Sequence, residues 1–304
     1  MRVLLTGGTG FIGKELLKYF TTYEVTLLTR SPLKAKEMVS HADMGNITYL
    51  SDLNKLSDLN EFDAVVNLAG EPIADKRWTK KQKEIICHSR WKITETIVEL
   101  IHASTSPPSV FISGSAVGYY GDQQEHPFDE GLHTHQQNFP HQVCAKWEEI
   151  ANRARSDSTR VCILRTGVVL GVEGGALKKM MLPYKLGLGG AIGSGDQYIP
   201  WIHLLDMVRG IIYLLTTEHA YGEFNLCAPH PVTNKHFSQT LAKLLKKPHL
   251  LSTPKWLLKI AMGESAVLLF DSLRAKPKKL TELGFHFSYS RIEPAMKNLL
   301  QHAD

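Results

Sequence analysis

Cysteine is scarce in this chain of 304 residues: Cys87, Cys144, Cys162 and Cys227 stand far apart and form no C-x-x-C pair. That spacing argues against a disulfide framework and a thiolate zinc site, and it points to a reducing, cytoplasmic compartment. Long apolar runs are also missing. None approaches the ~18 residues of a membrane span, and Met1-Arg2-Val3-Leu4-Leu5 gives way to Thr6-Gly7-Gly8 too soon for a signal h-region. No membrane partner is expected. Charge is not concentrated either: 35 Lys and Arg against 30 Asp and Glu leave +5, without a basic block. The run Lys276-Pro277-Lys278-Lys279 is short and lacks interleaved aromatics, so no nucleic-acid partner is expected. Repeats and low-complexity segments are absent.

What remains is a globular composition, 43% hydrophobic and 21% charged, in a chain long enough for about two domains. Short apolar runs alternate with helical patterns through the first half, the arrangement of βαβ units around a parallel sheet. The strands predicted are Arg2 to Thr6, Glu24 to Thr29, Ile47 to Leu50, Ala64 to Leu68, Val110 to Ser113 and Val161 to Thr166. A long helix is predicted from Trp78 to Ala103, where Ile86, Ile93, Ile97 and Leu100 recur at helical spacing. After Thr166 the character changes: eight glycines fall between Gly171 and Gly195, where backbone can approach a ligand closely. From Thr253 the tail reads as short helices broken by Pro277 and Gly284, ending in Arg291 to Gln301.

The first strand runs into Thr6-Gly7-Gly8-Thr9-Gly10-Phe11-Ile12-Gly13 and then a helix. Glycines 8, 10 and 13 satisfy G-x-G-x-x-G, and glycines 7, 10 and 13 satisfy G-x-x-G-x-x-G. Either spacing serves a pyrophosphate: one glycine makes the turn, one clears the phosphate's path, and one lets helix and strand pack closely. Which dinucleotide follows from the end of the second strand. An NAD site places a carboxylate there for the ribose 2′-hydroxyl, whereas this chain has Thr29, Arg30 and Ser31. A guanidinium pairs with the 2′-phosphate of NADP, so NADP(H) is the expected cofactor. Asn67-Leu68-Ala69-Gly70 ends the fourth strand with small residues beside that path. Arg90 lies on the apolar stripe of its helix, where a charge needs a partner: a cofactor phosphate or ribose, or a core carboxylate.

These residues resemble the extended short-chain dehydrogenase/reductases of the NAD-dependent epimerase/dehydratase group. The resemblance continues through Ser113 and Ser115 with Tyr119-Tyr120-Gly121 behind them, and through Ile202-His203-Leu204-Leu205-Asp206. More narrowly, Leu164 to Gly171, Gly187 to Gly190 and the tail through Trp256, Gly263-Glu264, Pro277 and Gly284-Phe285 are similar to one atypical branch. That branch is the epimerase family proteins with a small C-terminal domain of unknown function. The resemblance implies an α/β Rossmann fold with a doubly wound parallel sheet and a smaller, mostly helical C-terminal substrate domain. It assigns 1–167 to NADP binding, together with part of 198–226, and 168–304 to the substrate side, including 253–304. By position it also implies that Gly7, Gly10, Phe11, Ile12, Gly13, Thr29, Arg30, Leu68, Ala69, Gly70, Arg90 and Val169 hold the cofactor. Thr29 and Arg30 take the adenosine phosphate end and Val169 the nicotinamide side.

Against this stands one departure. The group's usual chemistry needs a tyrosine four residues before a lysine, and none of the ten tyrosines here has that spacing. Aligning Cys144 and Glu148 with the usual lysine and the glutamate beyond it puts Pro140 at the tyrosine position, and proline cannot transfer a proton. The substitutes at hand are Ser115, to bind a substrate carbonyl or hydroxyl, and Tyr120, either as the acid or as an aromatic packed under the loop. His126, His133, His135 and His141 match no metal spacing, so no metal is expected. His203 has two readings, substrate cleft or structural hydrogen bond. Two functions stay open: an NADP(H)-dependent oxidoreductase or nucleotide-sugar epimerase on a small polar substrate, or a catalytically silent NADP(H) sensor or scaffold. Either is expected as a monomer or homodimer.

Overall fold

The computed structural model describes residues 1–39, 46–133, 136–249 and 251–301. In chain order the first half runs β1 (Arg2–Thr6), α1 (Phe11–Leu17), β2 (Glu24–Leu28), α2 (Pro32–Val39), β3 (Ile47–Leu50), β4 (Ala64–Asn67), α3 (Lys80–Ala103), β5 (Val110–Ala116), β6 (Pro127–Phe128), α4 (Phe139–Asn152) and β7 (Arg160–Thr166). The second half runs β8 (Val168–Leu170), α5 (Gly175–Lys185), β9 (Gly190–Ile192), β10 (Tyr198–Ile199), β11 (Trp201–His203), α6 (Leu204–Thr216), β12 (Gly222–Leu226), β13 (Val232–Thr233) and α7 (Asn234–Leu244). It ends with β14 (Leu251–Thr253), α8 (Lys255–Met262), α9 (Val267–Phe270), β15 (Arg274–Ala275), α10 (Lys278–Glu282) and α11 (Ile292–Gln301).

Side chains of a strand alternate between faces, and here both faces are apolar. Val3, Leu5, Val110, Ile112, Cys162 and Leu164 pack on one side against Leu16 of α1 and Met207 and Ile211 of α6. Leu4, Phe111, Val161 and Ile163 pack on the other against Ile97 and Ile101 of α3 and Ile150 of α4. A sheet so buried is parallel. Its order is β12-β7-β5-β4-β1-β2-β3, all neighbours parallel, which is the expected doubly wound Rossmann arrangement. The strand order reverses between β1 and β4, and open α/β sheets hold ligands at the carboxyl ends of such strands. An open depression of about 470 Å³ lined by Met1, Ser109, Asp157, Arg160 and Glu218 lies at the opposite, amino-terminal edge.

The C-terminal region is mostly helical. Leu177 and Met181 of α5, Phe237 and Leu241 of α7, and Ile292 and Met296 of α11 form its own core around Trp201. Its tail is tied to the sheet by Asp206, fully buried on α6, which accepts the Ser288 and Tyr289 amides, both at 2.8 Å. Two boundaries differ from expectation by two residues or more, while β2, β4, β7 and α11 each differ by one. The helix predicted from Trp78 begins at Lys80, because Thr79 caps it by accepting the Gln82 amide and Trp78 turns into an apolar cluster with Ile86 and Val143. The strand predicted to stop at Ser113 continues to Ala116, because Ser115 and Ala116 pair with Arg165 and Thr166 of β7. Among the described residues, no helix is long and apolar enough to cross a membrane.

Candidate functional site

At the carboxyl end of β1 the glycines divide their work. Gly7 has φ +71°, and a Cβ there would lie 2.5 Å from the Leu68 carbonyl oxygen, so the turn touches the end of β4. Gly13 is buried, and its Cβ would lie 2.3 Å from the Gly7 oxygen, so α1 presses onto the turn. Gly10 is exposed, with only the Gly7 oxygen near its Cβ position, at 3.1 Å. Gly8 packs inward on Leu5 and Leu27. The turn is therefore built on glycines 7, 10 and 13, with Gly10 the exposed one of the three. Beneath them, Thr6 Oγ1 donates to Asn67 Oδ1 at 2.6 Å, and the Ala69 amide donates to Thr6 Oγ1 at 3.2 Å, which locks the Leu68-Ala69-Gly70 backbone to the turn. Ile12 packs on the sheet core. The Phe11 ring fills the space over Gly171, Gly174 and Gly175, so three glycines of the rich segment serve this ring rather than a ligand.

Arg90 reaches the same place from α3. Its guanidinium lies against Gly70, where a Cβ would sit 2.9 Å from Cζ, and 5.4 Å from the centroid of the Trp147 ring. Nη1 donates to the Ile86 oxygen at 3.0 Å. Burial pushes its pKa down, and the core carboxylate partner that the sequence left open is not found among the described residues. Across the turn, Arg30 is exposed and Thr29 half-buried at the end of β2. Hydrogen bonds from Lys76 and Gln82, with Arg30 nearby, hold the Glu71 carboxyl below the usual range.

A second, buried cluster links β5, α4 and β7. Arg165 Nε and Nη2 donate to Glu148 Oε1 and Oε2 at 3.0 and 2.8 Å, and Ser115 Oγ donates to Glu148 Oε1 at 2.6 Å. Arg165 Nη1 also donates to the Tyr120 hydroxyl, which donates on to Asn225 Oδ1 at 2.8 Å. Burial works against the Arg165 charge, but the Glu148 hydrogen bonds outweigh it and hold that pKa up. Tyr120 corrects an expectation. It has no solvent exposure, and burial pushes its phenol well above 10, so it packs under the loop and is no acid at the crevice. Ser115, about 5% exposed, directs its hydroxyl hydrogen to Glu148, which leaves the oxygen lone pairs to accept.

Other predicted residues have structural places. Val169 is buried in the sheet core. His203 caps α6 by accepting the Leu205 amide at Nδ1, so Nε2 is the protonated nitrogen and donates to Asn298 Oδ1. Cys144 is buried, which pushes its thiol up to about 11. His126, His133 and His141 join no metal-ligand group among the described residues, and His135 lies outside them. Sequence reasoning missed Asp271, whose Oδ2 accepts from Asn138 Nδ2 at 3.2 Å at the start of α4. Burial and the neighbouring Asp122 push its carboxyl up to about 6. No motif surrounds it, so its signal lies in the fold alone.

Comparison with known proteins agrees with this architecture. Residues 3–227 match the model of the NAD dependent epimerase/dehydratase family, and residues 253–299 match a domain of unknown function, DUF1731. An epimerase family protein of Staphylococcus haemolyticus is 37% identical over 301 residues, 98% of each chain. The crystal structure of human epimerase family protein SDR39U1 with NADPH is similar at TM-score 0.89 and 33% identity, covering 99% of this chain and 100% of that one. A nucleoside-diphosphate sugar epimerase from Corynebacterium glutamicum is similar at TM-score 0.77 and 28% identity, covering 99% of this chain and 58% of that one. Together with the parallel sheet and its glycine turn, these matches establish that the chain belongs to the NAD dependent epimerase/dehydratase family and ends in a DUF1731 domain.

Proposed function

We propose that this protein binds NADP(H) at the turn of Gly7, Gly10 and Gly13 and is an oxidoreductase acting on a small polar substrate. The observation that carries the reading is Arg90: a half-buried cation laid against Gly70, beside the turn, in no ion pair among the described residues. A half-buried guanidinium without a carboxylate is still costly, and a cofactor phosphate or ribose supplies its partner. The rest of the turn fits the same group. Gly10 leaves backbone open to a pyrophosphate, Thr29 and Arg30 stand where a 2′-phosphate would be held, and the NADPH in the human relative's structure supports the choice over NAD. When bound, such a cofactor supplies or accepts a hydride.

In this reading residues 1–167, with part of 198–226, carry the nucleotide and residues 168–304 face the substrate. Ser115, its proton committed to Glu148, accepts a hydrogen bond from a substrate hydroxyl. The four unpaired thiols accord with a cytoplasmic location. A second reading, a silent NADP(H) sensor, is favoured by one observation: Pro140 stands at the usual tyrosine position while Tyr120 is sealed in the core. The shared claim is tested with Arg90→Met. NADPH titration by nicotinamide fluorescence is expected to show binding about tenfold weaker or worse, at thermal stability equal to or above that of the wild type. Equal affinity in the variant would overturn it.

A further inference from the structure

We propose that Asp271, carried by the C-terminal segment, is the carboxyl that exchanges a proton with substrate, the task Pro140 cannot perform. The proposal rests on the nicotinamide-nucleotide reading above. Its geometry begins with the segment 263–273, which crosses from the C-terminal region onto the nucleotide-binding half. Glu264 pairs with Lys83 of α3 at 2.6 Å, and Val267 and Leu268 pack on Trp78, Ile86 and Val143. Beyond them, Gln197 Nε2 holds the Leu269 oxygen at 3.1 Å, and the Ser272 amide donates to Asp122 Oδ1 at 2.9 Å. Asp271 is thus fixed between anchors on both sides.

Its carboxyl is set over the first turn of α4. Asn138, which donates to it, caps that helix two residues before Pro140, and Pro140 in turn lies against Gly118, just past β5. This is the carboxyl end of the sheet, where open α/β folds hold ligands, and Ser115 stands on the same strand end. Asp122 faces Asp271 from the turn after β5 and Asn138 faces it from α4; Lys255 reaches the ring of the preceding residue, Phe270, at 5.5 Å. A carboxyl raised towards neutrality by burial and by Asp122 is available in both protonation states, as acid–base work requires.

The reaction that balances is carbonyl reduction and its reverse. The substrate carbon gains a hydride from a reduced nicotinamide, the carbonyl π pair moves to oxygen, and that oxygen takes the Asp271 proton, leaving a carboxylate. In reverse, the carboxylate takes the hydroxyl proton as the hydride departs. The substrate class is therefore a secondary alcohol and its ketone, the hydroxyl form donating to Ser115.

The test needs no substrate. Affinities for NADP⁺ and NADPH are measured by calorimetry from pH 5 to 8 for wild type, Asp271→Asn and Asp122→Asn. Both nucleotides carry the same 2′-phosphate, so its ionisation near pH ~6 cancels in their ratio. They differ in the nicotinamide ring, which is cationic only when oxidised. A carboxylate beside that ring favours NADP⁺, so the wild-type preference for NADP⁺ over NADPH is expected to rise at least about threefold between pH 5 and 7.5. It is expected to be flat in Asp271→Asn and to rise at lower pH in Asp122→Asn. A flat wild-type ratio, or an equal rise in Asp271→Asn, overturns the proposal and leaves the nucleotide site standing. Binding of neither nucleotide overturns both.

Discussion

Ser115 Oγ donates to Glu148 Oε1 across 2.6 Å, and Arg165 clasps both oxygens of that carboxylate from β7. Both charged side chains are about 6% exposed, so the pair is sealed from water. Removing one partner strands the other. Glu148→Gln is expected to cost about 3–5 kcal/mol of stability, read as a fall in the urea midpoint at unchanged slope. The apolar double variant Glu148→Met with Arg165→Met is expected to recover most of that loss. A cost under about 1 kcal/mol for Glu148→Gln would contradict a buried, hydrogen-bonded pair.

Two glycines of the turn separate folding from binding. Gly7 combines φ +71° with the Leu68 carbonyl, so Gly7→Ala is expected to lose about 1–3 kcal/mol of folding stability. Gly10 is exposed and its Cβ position meets only the Gly7 oxygen, at 3.1 Å, so Gly10→Ala is expected to cost clearly less stability than Gly7→Ala. Its methyl group enters the pyrophosphate's path and is expected to weaken NADPH about tenfold, close to 1.4 kcal/mol. Equal losses of stability in both variants would show that the division is wrong.

His203 links stability to pH. Burial depresses its folded pKa below the unfolded value near 6.5, so the unfolded chain binds the proton more readily. The contribution is complete above pH ~6.5 and falls away as the pH drops below it. Urea unfolding at pH 7.5 and 5.5 is expected to show a smaller loss on acidification in His203→Gln than in wild type. Identical losses would mean that the imidazole titrates freely.

Asp271 acts in the opposite direction. Its folded pKa of about 6 stands above the ordinary 3.8, so the folded chain binds the proton more readily between these values and stability declines as the pH rises through them. Asp271→Asn is therefore expected to raise the melting temperature at pH 7.5 by more than at pH 4.5. A difference independent of pH would place the carboxyl in water.

How far the sequence reaches depends on whether an element is specified locally. β1 and β3 were legible to the residue because each is a short apolar run between breakers, and Thr6 to Gly13 declared itself by spacing. The last residues of β5 were not, since their pairing with Arg165 and Thr166 is settled 50 residues away. The glycines at 171, 174 and 175 read as an open loop, yet their use is to receive the Phe11 ring from α1, far upstream in the chain. Tyr120 could be either buried or exposed until Asn225 and Arg165 met its hydroxyl. Asp271 carries no pattern at all: its partner Asn138 is 133 residues distant, and only the crossing segment brings them together.

The most direct test of the nucleotide site is a titration of the purified protein with NADPH and with NADH, followed by nicotinamide fluorescence, for wild type and Arg30→Ala. Arg30 stands exposed at the end of β2 with no carboxylate where an NAD site would have one. NADPH is expected to bind at least about tenfold tighter than NADH, a preference worth ~1.4 kcal/mol that Arg30→Ala removes without changing NADH affinity. Equal affinity of wild type for the two nucleotides, or an undiminished preference in the variant, would contradict the assignment of this turn to NADP(H).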